Sequence, residues 1–281
     1  MTRYRCYSVD FHAPGRFSRM NMRIASATIS VVIPARNEEV LIAATVDSVV
    51  RARDFWIETD DEGSAVEILV VDNASTDRTR DELGRHARSG VVRIATCDRL
   101  GSAHARNFGA RLAGGEILVF LDADTHLPRE ALLRIATLCG THQYEAGITG
   151  LGQLDGGRAA GCWWAFWNLV RRLPLARAKA MPACMFCTRE VFDEFGPFDE
   201  RVAIGEEWPI LAGLYRARRH RLIYDRSLTA LSSSRRMELQ PFGYCRTVAK
   251  YAWAILSFRG RVHYSDQVRH ARASETPRGV R

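Results

Sequence analysis

Short apolar runs alternate with segments of helical periodicity along the first half of the chain. Runs rich in β-branched residues predict buried strands at 29–33, 67–71, 91–95 and 117–121. Apolar residues at helical spacing predict helices at 37–53, with Asn37 as its N-cap, from 77 to about 89, at 101–113 and after Pro128. Strands and helices that alternate in this way are typical of an α/β fold with a doubly wound, mostly parallel sheet and helices on both of its faces.

The second half of the chain is less regular. The same patterns predict strands at 146–151, 181–188 and 222–230, and helices at 189–195, 205–219 and 242–258. A glycine-rich loop is expected from Leu154 to Gly161. The last helix places Phe242, Cys245, Ala249 and Trp253 on one face, so this amphipathic helix either docks on the domain or lies on a membrane surface. Residues 162–175 hold four aromatic side chains and then two arginines, a pattern that fits either core packing or a membrane interface.

Three predicted strands end in polar clusters. The clusters are Ala35-Arg36-Asn37-Glu38, Asp72-Asn73 and Asp122-Ala123-Asp124. Ligands of open α/β sheets bind at the carboxyl ends of the strands, where these clusters are expected to meet. We therefore expect a binding site at this edge of the sheet.

Asp122 and Asp124 stand one residue apart at the end of the 117–121 run. In an extended backbone, side chains at i and i+2 point to the same side, so both carboxylates would face one ligand. Mg²⁺ binds one or two carboxylates together with substrate phosphates. The alternative is that the two aspartates only cap the next helix.

The chain has no glycine-rich phosphate loop of the P-loop type, and no Gly-x-Gly-x-x-Gly follows the first strand. Phosphates would therefore be held by a metal ion and arginine. Arg235 and Arg236 are adjacent in a predicted loop and could clamp a diphosphate, or they belong to a solvated basic loop. Glu206 and Glu207 stand at a predicted helix N-terminus, where either the helix dipole or a catalytic role accounts for them.

The 281 residues carry a net charge of +8, almost wholly from arginine, since Lys179 and Lys250 are the only lysines. This balance suits phosphate-bearing ligands, nucleic acid or an anionic membrane. No apolar run is long enough to span a bilayer and no signal peptide is recognisable, so we expect a cytoplasmic location. Residues 1–27 are expected to form a disordered basic leader.

Seven scattered cysteines, an odd number, indicate reduced thiols. Cys184 and Cys187 form a Cys-x-x-Cys pair without a partner pair at zinc-site spacing. Because Met185 and Phe186 lie between them, we interpret the pair as buried strand residues.

Several of these segments resemble glycosyltransferase family 2, in the family's order. They are Ser30-Val-Val-Ile-Pro-Ala-Arg-Asn-Glu-Glu39, Val71-Asp-Asn-Ala-Ser-Thr-Asp77, Ala105-Arg-Asn-Phe-Gly109, Phe120-Leu-Asp-Ala-Asp124, Gly196-Pro-Phe-Asp-Glu200 and Gly205-Glu-Glu207. The resemblance covers residues 28–236 and is specific for the family but not for the substrate.

The resemblance implies a GT-A fold, a Rossmann-like sheet with a nucleotide-sugar-binding half (28–127) and an acceptor half (128–236). Residues 237–281 would add the C-terminal amphipathic helix and a basic tail. It also implies a nucleotide-diphosphate sugar as donor, a divalent metal (Mg²⁺ or Mn²⁺) as cofactor and inversion at the anomeric carbon.

The resemblance also assigns roles to residues. Carried over by position, the nucleotide-sugar-binding residues are Pro34, Ala35, Glu38, Asp72, Arg106 and Asp122, with Arg235 and Arg236 assisting at the diphosphate. Asp124 would bind the metal, with Asp122 beside it. Glu207 stands where the family has an aspartate general base. Because the glutamate at this position is one methylene longer than aspartate, Glu206 is the alternative base.

The Gln-x-x-Arg-Trp element of processive synthases is absent. We therefore expect a non-processive enzyme of cell-envelope polysaccharide or glycolipid synthesis, with a glycan or lipid-linked acceptor, possible peripheral membrane contact and no nucleic-acid partner. The competing interpretations are a nucleotidyltransferase and a non-catalytic glycosyltransferase-like binding protein.

Overall fold

The computed structural model describes residues 27–59, 64–173, 182–202, 204–239 and 242–256. The expected leader, apart from Ala27, and the expected basic tail after residue 258 lie outside the described residues.

Four parallel strands form the first half of an eight-stranded sheet. They are β1 (Thr28–Ala35), β2 (Ala65–Asp72), β3 (Arg93–Thr96) and β4 (Ile117–Leu121), in the spatial order β3-β2-β1-β4. The connecting helices are α1 (Ile42–Thr59), α2 (Thr79–Glu82), α3 (Gly84–Arg88) and α4 (Ser102–Leu112). The prediction of a doubly wound parallel sheet is confirmed for this half.

Two local predictions in the first half are wrong. The helix expected up to residue 89 is divided into α2 and α3. Asn37 is not the N-cap of α1: it has a φ of 54° in the turn after β1, and its Oδ1 accepts a hydrogen bond from the backbone N–H of Thr76. The helix α1 begins only at Ile42, after this turn has been tied to the loop that follows β2.

The second half continues the same sheet. Its elements are β5 (Thr125–His126), α5 (Ala131–Gly140), β6 (Ala146–Gln153), α6 (Arg158–Val170), β7 (Cys184–Thr188), α7 (Arg189–Phe195), α8 (Trp208–Arg218), β8 (Leu222–Ser232), α9 (Arg235–Glu238) and α10 (Gly243–Leu256). The order runs β4-β7-β6-β8-β5, with β7 antiparallel to both β4 and β6 and β8 parallel to β6. The sheet is therefore parallel in its first half and mixed in its second.

Apolar side chains fill both faces of the sheet. Trp56 of α1 and Leu132 and Ile135 of α5 are buried on one face. On the other face Phe120 packs with Ile210 and Leu214 of α8. The strands read as continuous apolar runs because helices cover the sheet on both sides.

The Cys-x-x-Cys pair lies in this core. Cys184 and Cys187 are buried free thiols of β7, and burial raises the pKa of Cys184 to about 12. A thiol with so high a pKa is a poor nucleophile and a poor metal ligand. The structural interpretation of the pair is confirmed.

Two segments near α6 and α9 were predicted as loops. The glycine-rich stretch expected to be a loop as far as Gly161 becomes helical at Arg158, and Arg235 and Arg236 lie in the first turn of α9 rather than in a loop.

Among the described residues, no helix combines the length and the apolarity required to cross a bilayer.

Candidate active site

A cavity of about 630 Å³ opens at the carboxyl ends of β1 and β4. Eight of the residues predicted for the site line it: Pro34, Ala35, Glu38, Arg106, Asp122, Asp124, Glu206 and Glu207. They come from four separate segments of the chain. The sheet brings the β1 and β4 ends together, and α4 and the turn before α8 close the cavity from the side.

The two aspartates reach the cavity through a turn. β4 ends at Leu121, and the backbone N–H of Thr125 donates to the carbonyl of Asp122 at 3.1 Å. The prediction that the two side chains share one side because the backbone is extended is therefore wrong. Both nevertheless line the cavity, since the turn projects Asp122 and Asp124 past the end of the strand.

Arg106 of α4 bridges two carboxylates of the cavity. Its Nη2 lies 2.5 Å from Oδ1 of Asp122, and its Nη1 donates to Oε1 of Glu206. Although burial alone would lower the pKa of Arg106, the charges of Asp122 and Glu206 raise it. Arg106 is thus a fixed cation between Asp122 and Glu206.

The turn before α8 separates the roles of the two glutamates. Gly205 has a φ of 80°, which favours glycine, and allows the chain to turn sharply before Glu206. Glu206 accepts from the Ser102 hydroxyl at 2.6 Å as well as from Arg106. Glu207 occupies the N-cap position of α8 without capping it through its side chain, and it is 4% exposed. Glu206 is engaged by both Arg106 and Ser102, and the assignment of the general base to Glu207 stays a prediction of the family resemblance.

Arg235 is paired rather than exposed to the cavity. Its Nη2 donates to Oε2 of the buried Glu38 at 2.6 Å and so connects α9 to the turn after β1. Arg235 is not among the residues that line the cavity, and the side chain of Arg236 lies outside the described part of the chain. The expected arginine clamp at the diphosphate is therefore not visible in this arrangement.

Asp155 holds the segment that precedes α9. It accepts hydrogen bonds from the hydroxyl groups of Ser233 and Ser234 and from the backbone N–H of Ser234. Although burial opposes ionisation, these hydrogen bonds lower the pKa of Asp155. Nothing in the sequence near Asp155 indicated this contact.

Asp72 lies beside the cavity rather than in its wall. Its Oδ2 is 2.7 Å from Nε of Arg80, and its Oδ1 accepts from the backbone N–H of Ser75. The neighbouring Asn73 does line the cavity. Asn73 also accepts from the N–H of Gly101, so the end of β2 is tied to the start of α4.

Sequence reasoning missed several residues of the cavity wall. Arg36, Asn73, Ser102, Trp163, Trp164, Trp167 and Arg171 all line it. Arg36 could have been found, because it stands within the polar cluster after β1. The three tryptophans belong to α6, and Arg171 directly follows its last residue. The spacing of the aromatic residues did not reveal which face of the helix meets the cavity.

The donor set fits a divalent metal only together with a substrate. Among the described residues there is no cluster of three His, Cys, Asp or Glu side chains that could hold an ion alone. Two carboxylates, from Asp122 and Asp124, line the cavity. Mg²⁺ is commonly bound in this way, by one or two carboxylates with the remaining positions taken by water and substrate phosphate.

Known relatives of the chain are glycosyltransferases. Glycosyltransferase AglE of Haloferax volcanii is 30% identical over 183 residues, which cover 63% of this chain and 58% of the relative. Poly(ribitol-phosphate) beta-glucosyltransferase of Bacillus spizizenii is 35% identical over 131 residues, covering 46% of this chain and 19% of the relative. The chain thus spans less than two thirds of the length of either relative.

Solved structures share the fold. The mannosyltransferase PcManGT from Pyrobaculum calidifontis, in complex with GDP-Man and Mn²⁺, superposes with a TM-score of 0.55 at 22% identity over 86% of this chain and 64% of its own. Glucosyl-3-phosphoglycerate synthase from Mycobacterium tuberculosis, in complex with Mn²⁺, UDP-Glc and phosphoglyceric acid, gives 0.53 at 20% identity over 82% and 79%. Both are GT-A enzymes, so the predicted GT-A fold is confirmed.

The family assignment rests on a match longer than half of the chain. The model of the family "Glycosyl transferase family 2" matches residues 30–188, a range that contains the turn after β1, the end of β2, α4 and the Asp122–Asp124 turn. The residues that converge on the cavity from the first half are therefore the residues that carry the match, and the chain belongs to glycosyltransferase family 2.

Proposed function

We propose that the chain is a metal-dependent inverting glycosyltransferase that moves one sugar from a nucleotide-diphosphate sugar to an acceptor hydroxyl. The observation that carries the proposal is a single cavity lined by Asp122, Asp124, Glu206 and Glu207, in which Arg106 pairs with both Asp122 and Glu206. Inverting transfer needs a positive site at the leaving diphosphate and a base on the other side of the sugar.

At the donor end, Asp124 and Asp122 would hold Mg²⁺ or Mn²⁺ against the diphosphate. The metal, when bound, stabilises the negative charge that grows on the departing diphosphate. Arg106 keeps Asp122 oriented, and Pro34, Ala35 and Glu38 form the wall on the β1 side. Solved structures of the same fold contain GDP-Man, UDP-GlcNAc or UDP-Glc. A guanine or a uracil nucleotide sugar is therefore consistent with the fold.

At the acceptor end, the carboxylate of Glu207 takes the proton of the acceptor hydroxyl as its oxygen attacks the anomeric carbon. Burial of Glu207 at 4% exposure keeps water from competing for this carboxylate. Attack from the side opposite to the leaving diphosphate inverts the configuration at that carbon.

We propose the division into a donor half (28–127) and an acceptor half (128–236), since residues 34–124 supply the metal end and residues 206–207 the base. The expected partners are a nucleotide-sugar donor and a glycan or lipid-linked acceptor of the cell envelope. A cytoplasmic location fits the six free cysteines among the described residues.

A donor screen tests the proposal. The protein is incubated with Mn²⁺ and GDP-Man, UDP-Glc or UDP-GlcNAc, and free nucleoside diphosphate is measured. We expect release from one of them, and we expect Asp124→Asn to lower it about a hundredfold or more, because the metal would lose one of its two proposed carboxylates while the other, Asp122, is paired with Arg106.

The matched control is Asp81→Asn, an exposed aspartate of α2 outside the cavity, which should release nucleotide at the wild-type rate. Metal-independent release that survives in Asp124→Asn would contradict the metal site. Release of pyrophosphate from a nucleoside triphosphate would instead identify a nucleotidyltransferase.

A further inference from the structure

The outer face of α6 is apolar although it faces solvent. Phe166 and Leu169 of α6, and Leu173 in the turn that follows the helix, are 46%, 60% and 48% exposed. The inner face of the same helix carries Trp163 and Trp167, which are buried at the cavity. A surface helix normally presents polar residues on the side away from the core, so the outer face of α6 needs a separate explanation.

The outer face of α10 repeats this pattern. Phe242, just before the helix, and Trp253 are 83% and 67% exposed, while Tyr244 turns inward and its ring lies 5.7 Å from that of Trp163. This contact joins α10 to α6. Of the nine large apolar side chains that are exposed among the described residues, six lie on or beside these two helices, so the exposed apolar surface is concentrated rather than scattered.

The charges on the two helices have one sign. Neither α6 nor α10 contains an aspartate or a glutamate. The exposed cations beside the apolar side chains are Arg158, Arg172 and Arg246. Glu238 of α9 is an exposed acid that accepts a hydrogen bond from Tyr244 of α10, but the three arginines outnumber it. An apolar surface with a net positive border is complementary to a surface that is apolar inside and anionic at its rim.

We propose that the face formed by Phe166, Leu169, Leu173, Phe242 and Trp253, called the docking face below, rests on an anionic phospholipid bilayer. Amphipathic helices with aromatic and aliphatic residues on one side and basic residues at the border insert their apolar side chains at the level of the lipid headgroups. Anionic lipids attract the bordering arginines. The absence of acidic side chains on both helices removes the repulsion that such a surface would otherwise experience.

Contact with a bilayer would also place the cavity close to the membrane. The side of α6 opposite the docking face supplies Trp163, Trp164 and Trp167 to the cavity wall. Only one helix diameter, about 10 Å, therefore separates the cavity from the lipid surface. Bilayer contact itself is independent of the reaction proposed for the cavity.

Vesicle sedimentation tests the docking face. The full chain is mixed with phosphatidylcholine vesicles with or without about 30% phosphatidylglycerol, a fraction that gives the bilayer a negative surface potential. We expect the protein to sediment with the anionic vesicles, and we expect Leu169→Glu/Leu173→Glu to reduce the bound fraction about tenfold or more. Added salt should weaken wild-type binding, because it screens the arginines.

The matched control is Ile57→Glu, since Ile57 is 48% exposed, as Leu173 is, but lies on α1. This variant should bind vesicles as the wild type does. Thermal unfolding of each variant checks that the folded state is retained. Failure of the wild type to bind anionic vesicles, or equal loss in the Ile57 and Leu169/Leu173 variants, would overturn the proposal.

Two native thiols give a second readout. Cys162 of α6 and Cys245 of α10 are exposed on the docking face, whereas Cys97, Cys139 and Cys184 are buried. In a Cys6→Ser background, anionic vesicles should slow the reaction of both exposed thiols with a water-soluble maleimide, and neutral vesicles should not. A dimer in sedimentation equilibrium that is lost in Leu169→Glu/Leu173→Glu, with no vesicle protection, would assign the face to a second copy of the chain instead.

Discussion

Neighbouring carboxylates in this cavity have different partners, and the partners determine what each can do. Glu206 receives hydrogen bonds from Arg106 and Ser102, and Asp122 lies 2.5 Å from the same arginine. The contacts of Glu206 and Asp122 with Arg106 suit them to hold this arginine in place. Glu207 and Asp124 line the same cavity, and we propose them as the general base and the metal ligand.

Replacing each glutamate with glutamine should distinguish the proposed general base, Glu207, from the partner of Arg106, Glu206. We expect Glu207→Gln to lower kcat by about 10² to 10⁴, the usual contribution of a general base, while nucleotide diphosphate still binds. Glu206→Gln should lower kcat less, because it removes a partner of Arg106 rather than the proton acceptor. The two variants should also differ in their dependence on pH. The acid limb of the kcat/KM profile should vanish in Glu207→Gln and persist in Glu206→Gln, and the reverse result would exchange the assignments.

The identities of the site residues could be predicted from the sequence, but their pairing could not. Asp122, Asp124 and the two glutamates stand in local clusters that indicate chemistry. The contacts of Arg106 with Glu206 and of Arg235 with Glu38 join residues 100 and 197 positions apart. Such contacts depend on how the strands are ordered in the sheet, and no local pattern encodes that order.

Helix α4 connects the two halves of the molecule. Gly109 lies against Val32 and Val71, where a larger residue would collide with β1 and β2, so the helix packs closely on the sheet. From this position Asn107 donates to the carbonyl of Phe198 and to Glu200, and it accepts from the N–H of Phe198. One buried amide therefore fastens the 196–200 segment to α4.

Replacing Asn107 with alanine should loosen this connection. The change leaves the buried N–H and C=O of Phe198 without their partner, and unsatisfied buried groups cost about 1–3 kcal/mol each. We expect the free energy of unfolding to fall by about 2–4 kcal/mol, measured by urea denaturation. Arg111→Ala, at an exposed position of the same helix, should change it by less than about 0.5 kcal/mol. Equal effects of the two substitutions would mean that the amide contributes little.

Strands β1, β4 and β7 were predictable from the sequence because each is an apolar run that is buried along most of its length, whereas the short β5 was not predicted. The turns were harder. The Asp122–Asp124 segment has the composition of a strand end but folds as a turn, since the N–H of Asp122 donates to Ala183 and that of Thr125 returns to Asp122. The partner in the first of these bonds, Ala183, lies 61 residues downstream of Asp122 in the sequence. Local propensity cannot contain that information.

At the scale of the whole molecule, acidic side chains hold the loops together. In Asp47, Glu67, Asp77, Asp155 and Glu200 burial opposes ionisation, but hydrogen bonds and nearby cations outweigh it and lower the pKa below the ordinary values of 3.8 for Asp and 4.5 for Glu. A carboxylate whose pKa is lower in the folded state contributes stability above its unfolded pKa. That stability is lost as the pH falls through the folded value.

We therefore expect the midpoint of urea unfolding to change little because of these groups down to about pH 5 and to fall steeply below about pH 4.5. Glu67→Gln should flatten part of this decline, because the carboxylate that accepts from Ser30 at 2.7 Å and from the N–H of Gly114 no longer titrates. Glu190→Gln, at an exposed position of α7, serves as the control. A decline of the same steepness in Glu67→Gln and in the wild type would show that other groups control acid unfolding.

Because one guanidinium holds both Asp122 and Glu206, the two ends of the cavity share a thermodynamic linkage. On the proposed function, binding of the donor with its metal would draw Asp122 away from Arg106, and the surroundings of Glu206 and of the neighbouring Glu207 would then change. Linkage is reciprocal, so an acceptor that disturbs Glu206 must alter donor affinity by the same factor. The two substrates would then bind cooperatively through Arg106, which forms no covalent bond with either. The order in which they bind would follow from which carboxylate, Asp122 or Glu206, Arg106 releases first.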